Sequence, residues 1–390
     1  MKILVVSSYL PYPLFSGGQV RLFNILKNLS KNHEITLICE KRNYQTEKDV
    51  EELKKICKKV LIIDRKKQWS FSNILKTGFS VKSFLVTGHT STDMKKLIKN
   101  EIKKETYDLI HVETSYVFQN LPKTSLPVVL VEHNVEYLVY KRYADKAPLT
   151  IRPLLYFDVL KLKKQEESFW RKATKLVAVS EAEKIVMKRE DAVVVPNGVD
   201  TDKFSLNEKL KEEKKELTVL FIGDFKWMQN RDSVEFILTK IWPKISPELN
   251  VKLRIVGKNI PENIKALKKE NVFFDENAEN TVEVYKKADI LLAPIRVGGG
   301  TSFKILEAMA SGVCVITTDL GTQGLGAISG KHVLVGNTEE EIISKLELVL
   351  TNKDLRKELI IAARKFVEEK YDWKKIVNVL ESVYKSVKNG

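Results

Sequence analysis

The sequence predicts an α/β chain made of two Rossmann-like, doubly wound parallel-sheet halves, and three observations carry that expectation. Short apolar runs recur along the chain, and Lys/Glu-rich helical patterns fill most of the gaps between them, the alternation that a mostly parallel sheet requires. The alternation breaks at Pro196-Asn197-Gly198-Val199-Asp200 and a polar, lysine-rich stretch over 201–216, then starts again. At 390 residues the chain is long enough to bury a core in each half. The natural architecture is two such halves with a cleft between them, the boundary falling at 197/198.

In order, residues 2–7 form the first strand, and Ser8-Tyr9-Leu10-Pro11-Tyr12-Pro13-Leu14-Phe15-Ser16-Gly17-Gly18 is a loop by its two prolines and Gly-Gly pair. An amphipathic helix follows, with Val20, Phe23, Ile25, Leu26 and Leu29 on or near its inner face, and 35–39 is the second strand. This first unit lacks a GxGxxG fingerprint and a well-placed acid for a ribose, which argues against a dinucleotide site. Further strands are expected at 60–63, 109–112, 128–131, 176–179 and 193–195, then, after the boundary, at 219–222, 251–256, 272–274, 290–293, 313–316 and 333–335. A final helical stretch is interrupted at Tyr371-Asp372-Trp373 and continues with Ile376, Val379, Leu380, Val383 and Tyr384 at helical spacing.

Composition sets outer bounds. The hydrophobic fraction of 43% is ordinary for a globular protein, and no apolar run approaches the roughly 20 residues that a spanning helix needs. The first apolar run is too short for a signal peptide. Cys39, Cys57 and Cys314 are widely spaced with no CxxC, which suits a reducing, cytoplasmic setting and argues against a disulfide scaffold or a zinc site. The net charge of +15 favours anionic partners, but the lysines are spread in short groups beside many glutamates and mark no nucleic-acid reading element.

One stretch carries chemistry. The run Ile290-Leu291-Leu292-Ala293-Pro294 is followed by Gly298-Gly299-Gly300-Thr301-Ser302, a helical pattern to Gly312, and the next apolar run. Strand, glycine loop, helix, strand is the layout in which a helix N-terminus collects a phosphate. Glycines allow close backbone approach, and Thr301 or Ser302 stands where a helix cap belongs. Lys304 and Glu307, three residues apart, project from one face, a cation for phosphate and a carboxylate for ribose hydroxyls; the alternative is a solvated pair contributing about 0.2–0.5 kcal/mol.

Six segments in order resemble the GT-B glycosyltransferases, in particular the GT4 family of retaining sugar transferases. They are Ser16-Gly17-Gly18, Glu132-His133-Asn134, Val195-Pro196-Asn197-Gly198-Val199-Asp200, Phe221-Ile222-Gly223, Ile255-Val256-Gly257 and Leu306-Glu307-Ala308-Met309-Ala310-Ser311-Gly312. Each is weak alone; together they span nearly the whole chain. The resemblance implies a GT-B fold in which a nucleotide-sugar-binding domain, 198–373, faces an acceptor-side domain, 1–197, across the cleft, and a last helix, 374–390, crosses back to the N-terminal domain. It implies a metal-independent hexosyl or glycosyl transfer with retention, from a UDP- or GDP-type donor to a glycan or lipid-linked acceptor, in cell-envelope polysaccharide or glycoconjugate synthesis. Departure and attack would share one face, and no cofactor besides the donor is implied.

By the same resemblance Glu307 matches the second carboxylate of an E-x7-E motif, a ribose ligand. Gly17 or Gly18 would bring backbone N–H groups towards the donor diphosphate, and His133 matches a cleft histidine that touches the donor sugar. Gly223, Gly299, Gly300, Thr301 and Ser302 complete the donor side. Two departures stand out: Gly299 occupies the place of the motif's first glutamate, and Asp224 and Asn230 stand where the family often has an Arg and a Lys. The leaving diphosphate still needs positive charge, so Lys304 is expected to supply it, with Lys226 or Arg231 assisting. Asp200-Thr201-Asp202 has the Asp-x-Asp spacing of a Mn²⁺ site, but its place at the junction makes it a turn and helix-start signal. The scattered glycines of 321–326 read as a loop beside the donor.

Two stretches bear on the acceptor. Residues 65–71 mix cations with aromatics, followed by Phe79, Phe84 and Leu85, and 154–164 is apolar on much of its surface but carries Lys161, Lys163 and Lys164. Such stretches can rest on an anionic bilayer, which would make the protein peripheral on the inner membrane face; the more economical reading is a core-packed helix with a solvated lysine face. Two other functions fit parts of the pattern: a GT-B sugar-nucleotide epimerase, and a noncatalytic basic binding protein.

Overall fold

The computed structural model describes residues 1–206, 215–245, 248–278, 280–297 and 302–389. The chain divides into two compact units, Met1–Pro196 joined by Ile376–Gly390, and Asn197–Lys375.

The first unit is built on β1 (Lys2–Ser7), β2 (Glu34–Lys41), β3 (Lys59–Asp64), β4 (Leu109–Glu113), β5 (Val128–Glu132), β6 (Lys175–Ala178) and β7 (Val193–Val194). They form one sheet in the order β3-β2-β1-β4-β5-β6-β7, with every neighbouring pair parallel. Strand order reverses between β1 and β4, where Ser7 lies between Cys39 on one side and Glu113 on the other. In open α/β sheets ligands collect at this switch point, outside the carboxyl ends of the strands. The helix Trp373–Asn389 brings Ile376, Leu380, Val383 and Tyr384 into the buried interior.

The second unit repeats the plan with β8 (Leu217–Ile222), β9 (Val251–Val256), β10 (Val272–Asp275), β11 (Ile290–Ala293), β12 (Cys314–Thr317) and β13 (Leu334–Val335). Its order is β10-β9-β8-β11-β12-β13, again all parallel, with the switch point between β8 and β11. The strands read as unbroken apolar runs because helices cover both faces. Alternate residues enter opposite cores: Val219, Phe221, Leu253, Ile255 and Leu292 pack on one face, and Leu220, Ile222, Val256, Leu291 and Val315 on the other.

Local chemistry adjusts several expected boundaries. Gly17 and Gly18 are not in a loop but form the first turn of the helix Gly17–Leu29, whose N-cap Ser16 accepts the Gln19 N–H. Pro-rich sequence hides that start, because Ser16 caps directly after it. The helix Lys353–Lys370 ends at Tyr371 and a new helix begins at Trp373; between them Asp372 accepts from the Thr201 hydroxyl and the Lys374 N–H. Asp200 accepts the Lys203 N–H and Asp202 pairs with Lys374, so this Asp-x-Asp is occupied with turn chemistry.

The stretches 65–85 and 154–164 correct the core-packed expectation. In the helix Phe71–Gly78 and its flanks, Trp69, Phe71, Phe79 and Val81 are exposed by 79, 76, 91 and 86%. The helix Arg152–Lys172 buries Val159, Leu162, Phe169 and Trp170 but leaves Leu154, Phe157 and Leu160 more than half exposed. The two are tied into one surface by Lys161 donating to the Thr77 carbonyl at 2.8 Å and by Asp158 accepting the Phe84 N–H at 2.9 Å.

Candidate functional site

In the second unit the predicted residues gather at the carboxyl ends of β8 and β11. Gly223 follows β8 directly, and its N–H bonds to the Val256 carbonyl. A side chain at Gly223 would meet the Asn230 amide at 2.7 Å, and one at Gly257 would sit 1.8 Å from the Gly223 carbonyl oxygen, at a φ of +149° that L side chains rarely adopt. These glycines permit a backbone approach that no Cβ tolerates. The approach seats Asn230, whose side-chain N–H donates to the Asp224 carbonyl while its Oδ1 accepts from Lys304 Nζ at 2.7 Å.

Lys304 and Glu307 lie on the first two turns of the helix Phe303–Ala310. The Lys304 ammonium sits 4.4 Å over the Phe221 ring. The Tyr285 hydroxyl reaches both the Lys304 carbonyl, at 3.2 Å, and Glu307 Oε2, at 3.0 Å. Both side chains keep part of their surface open, yet they lie deep enough for desolvation to dominate their titration. Burial lowers Lys304 to about 7 against the pull of Glu307. Burial raises Glu307 to about 7 in spite of the Tyr285 hydrogen bond and the positive charges of Lys203 and Lys304. Such a pair suits a ligand that brings an anion to the lysine and hydroxyl donors to the carboxylate.

Other expected donor-side residues fare differently. Ser302 occupies the N-cap position, but its side chain makes no capping bond. Gly299, Gly300 and Thr301 lie outside the described residues. Arg231 spends its guanidinium on the Phe225 and Lys226 carbonyls, bracing the loop after β8, and the Lys226 N–H turns to Asp224. The residue that meets Lys304 is therefore Asn230, and neither Lys226 nor Arg231 bonds to it. Tyr285, on the helix Thr281–Lys286, has no signal in the sequence pattern.

In the first unit the structure brings Gly18 and His133 together: a Cβ on Gly18 would lie 3.6 Å from His133 Cε1 and 3.2 Å from the Tyr9 hydroxyl, which donates to the Gly18 carbonyl. His133 follows β5 and turns Nε2 to Glu113 Oε1 at 2.5 Å. Glu113, the last residue of β4, is fully buried; its other oxygen meets His111 Nε2 at 2.6 Å, and His111 Nδ1 meets the Tyr384 hydroxyl at 2.6 Å. The Arg21 guanidinium stands 3.7 Å from Glu113 Oε1 and donates to the Pro196 and Val195 carbonyls. Burial alone would raise the Glu113 carboxyl, but the two histidines beside it hold it well below the usual range. The sequence pattern singles out neither His111 nor Glu113, because the sheet pairing that joins them to His133 is long-range. Among the described residues, no group of His, Cys, Asp and Glu is arranged to hold a metal.

Comparison with known proteins bears on the family and the fold. Residues 15–203 match the family model described as Glycosyltransferase Family 4, and residues 216–352 match the model Glycosyl transferases group 1. The chain is 27% identical to an uncharacterized 44.6 kDa protein in the cps region of Klebsiella pneumoniae, over 98% of this chain and 99% of that one. It is 27% identical to a phosphatidyl-myo-inositol mannosyltransferase of Mycobacterium tuberculosis, over 50% of this chain and 54% of the relative. Its fold superposes with a TM-score of 0.67 on Anabaena Alr3699/HepE in complex with UDP-glucose, at 13% identity over 99% of this chain and 100% of that one. Two Rossmann-like units, consecutive family matches and these relatives lead to one assignment: the chain is a GT-B glycosyltransferase of the group 1, family 4 kind.

Proposed function

We propose that this glycosyltransferase takes a sugar from a UDP- or GDP-type donor and passes it, with retention at the anomeric carbon, to a glycan or lipid-linked acceptor of a cell-envelope polysaccharide or glycoconjugate. The observation that carries the donor reading is the Lys304–Glu307 pair at the head of the helix Phe303–Ala310, with Tyr285 and Asn230 fixing its two members. Glu307 accepts from ribose hydroxyls. Lys304, lowered to about 7 by burial, regains its full charge beside a diphosphate and offsets the negative charge that grows as the glycosidic bond breaks. The helix N-terminus adds its partial positive charge on the same side. His133, with Nε2 engaged by Glu113, offers Nδ1 to a donor-sugar hydroxyl. The UDP-glucose complex of the Anabaena neighbour and the lipid named in the mycobacterial relative supply the analogies for donor and acceptor; retention rests on the likeness of the six motifs.

A thermal-shift panel of UDP-, GDP- and ADP-sugars tests the donor site. One nucleotide class raises Tm in the parent chain and fails to do so in Glu307→Ala; a flat response to all three would overturn the reading. With the donor in hand, free nucleotide is released in step with acceptor, and NMR of the product shows the donor's anomeric configuration retained.

The acceptor side of the proposal includes an anionic bilayer. Trp69, Phe71, Phe79, Leu154, Phe157 and Leu160 form an exposed apolar surface interleaved with Lys67, Lys76, Lys82 and Lys164. A contiguous apolar face of this kind marks an interaction site, and each basic residue near an anionic surface adds about 1 kcal/mol. No helix among the described residues is long and apolar enough to cross a membrane, so the contact is peripheral. The chain floats with vesicles containing phosphatidylglycerol and not with pure phosphatidylcholine; failure to float with either removes the membrane from the proposal.

A further inference from the structure

The first unit contains a buried polar chain that the donor reading uses only at its outer end. Tyr384, His111, Glu113 and His133 are joined in sequence by contacts of 2.6, 2.6 and 2.5 Å. Three of the four are fully or almost fully buried, and only His133 opens partly to solvent, its side chain 18% exposed. Such a chain is expensive to enclose unless every member is satisfied, and here each is.

The proton positions follow from chemistry. Glu113 carries two acceptor oxygens and faces Arg21, so it is the anion of the group. A carboxylate can only accept, so both imidazoles donate through Nε2. A neutral His111 is then bare at Nδ1 and accepts the Tyr384 O–H. A neutral His133 is likewise bare at Nδ1, the nitrogen on the far side of the ring from Glu113. The other carboxylates whose charge is felt by His133 are Glu136 and Glu183, and neither is within hydrogen-bond distance of its ring.

We propose that Glu113 is the positioning residue for His133, fixing it as the Nε2–H tautomer with Nδ1 presented to the donor sugar, and that Tyr384, acting through His111, holds Glu113 in place. The proposal rests on the donor reading for what Nδ1 touches, but not for the tautomer itself. An imidazole held this way accepts a hydrogen bond from a sugar hydroxyl; in the opposite tautomer it would donate to the hydroxyl oxygen and could not take its proton. Carboxylates that orient a histidine through its far ring nitrogen typically change activity by about 10–100-fold when removed.

The test uses the full chain with ¹⁵N-labelled histidine. With only five histidines, ring signals are assignable by substitution. In the parent protein near pH 7.5, His133 shows a pyrrole-type Nε2 and a pyridine-type Nδ1, and His111 the same. Glu113→Gln, isosteric but able to accept from only one imidazole, removes the preference at one ring or both. With the donor identified by thermal shift, this variant loses about 10–100-fold in kcat with donor KM nearly unchanged. A folded Glu113→Gln with unchanged His133 tautomer and unchanged kcat overturns the proposal. Tyr384→Phe keeps the carboxylate, and so the chain remains testable if Glu113→Gln does not fold. It loosens the His111 tautomer. Unchanged His111 signals in Tyr384→Phe overturn the Tyr384 end of the relay. The ring signals need no substrate: expected tautomers in a chain that turns over no nucleotide sugar would discard the donor reading, while wrong tautomers in an active chain would discard the relay.

Discussion

Glu113 and Glu307 are both enclosed carboxylates beside the switch point of a parallel sheet, one in each unit, and their surroundings push them in opposite directions. Glu113 meets two imidazoles at 2.5–2.6 Å with a guanidinium beside them, and stays ionised although wholly buried. Glu307 has a phenol at 3.0 Å, the lysine on its own helix is turned to Asn230 and an aromatic face, and it is raised to about 7. Burial acts on both; the difference lies in how many N–H donors, with a guanidinium behind them, face the carboxylate. The first site is satisfied from within the unit. The second has its cation and its carboxylate each held by neutral groups, which leaves their charges available to a ligand.

The largest consequence concerns stability. Glu113→Ala should cost about 3–5 kcal/mol in urea unfolding, because it strands Arg21 and two imidazoles in a dry interior. Glu307→Ala should cost under about 1 kcal/mol, since the carboxyl it removes is itself held against its preference. Equal losses in the two variants would break the comparison.

The next consequence is a pH dependence with a defined sign. Glu307 is raised in the folded state from 4.5 to about 7, so the folded chain binds its proton more tightly. Its contribution is fully present below about pH 4.5 and is lost as pH rises towards 7, by at most about 3 kcal/mol, less to the extent that its open face is hydrated. Lys304 is lowered from 10.5 to about 7, so stability recovers as pH climbs from 7 towards 10.5. The stability of the parent minus that of Glu307→Gln should therefore fall between pH 4.5 and 7; a flat difference would show that the carboxylate is hydrated and ordinary.

A smaller effect tests the glycine beneath the second site. Gly223→Ala drives a methyl into Asn230 and should cost about 1–3 kcal/mol, and it should weaken donor binding about tenfold by displacing the partner of Lys304. Unchanged donor affinity in the folded variant would separate Asn230 from the lysine's function. The smallest expected signal is proton uptake. Near pH 8 a diphosphate should restore the charge of Lys304, taking up a fraction of one proton per donor bound. Calorimetry in buffers of different ionisation enthalpy reads it directly, and an equal binding enthalpy in all of them would contradict the lowered lysine.

The sheets were legible in the sequence because strands buried on both faces must be apolar throughout, and all thirteen expected strands are present. The Lys304–Glu307 pair was legible because both members lie within one helical turn. Tyr285, 22 residues before Glu307, was not, and neither was the Glu113–His133 contact, since each needs a side chain delivered by a different element. The surface around Trp69 and Phe157 was misjudged for another reason: helical periodicity finds an apolar stripe but does not say whether the fold covers it.

Tyr384 lies beyond the whole of the second unit in sequence yet belongs to the first. The second unit is thus an insertion within the first, and the order of synthesis differs from the order of assembly. A ribosome finishes Asn197–Lys375 before it makes the hydroxyl that closes the His111–Glu113–His133 chain. Cutting at the junction would free a second unit with its whole sheet, but would leave residues 1–196 without Tyr384, the partner of His111 Nδ1. The half that is translated first is the half that can be completed only last.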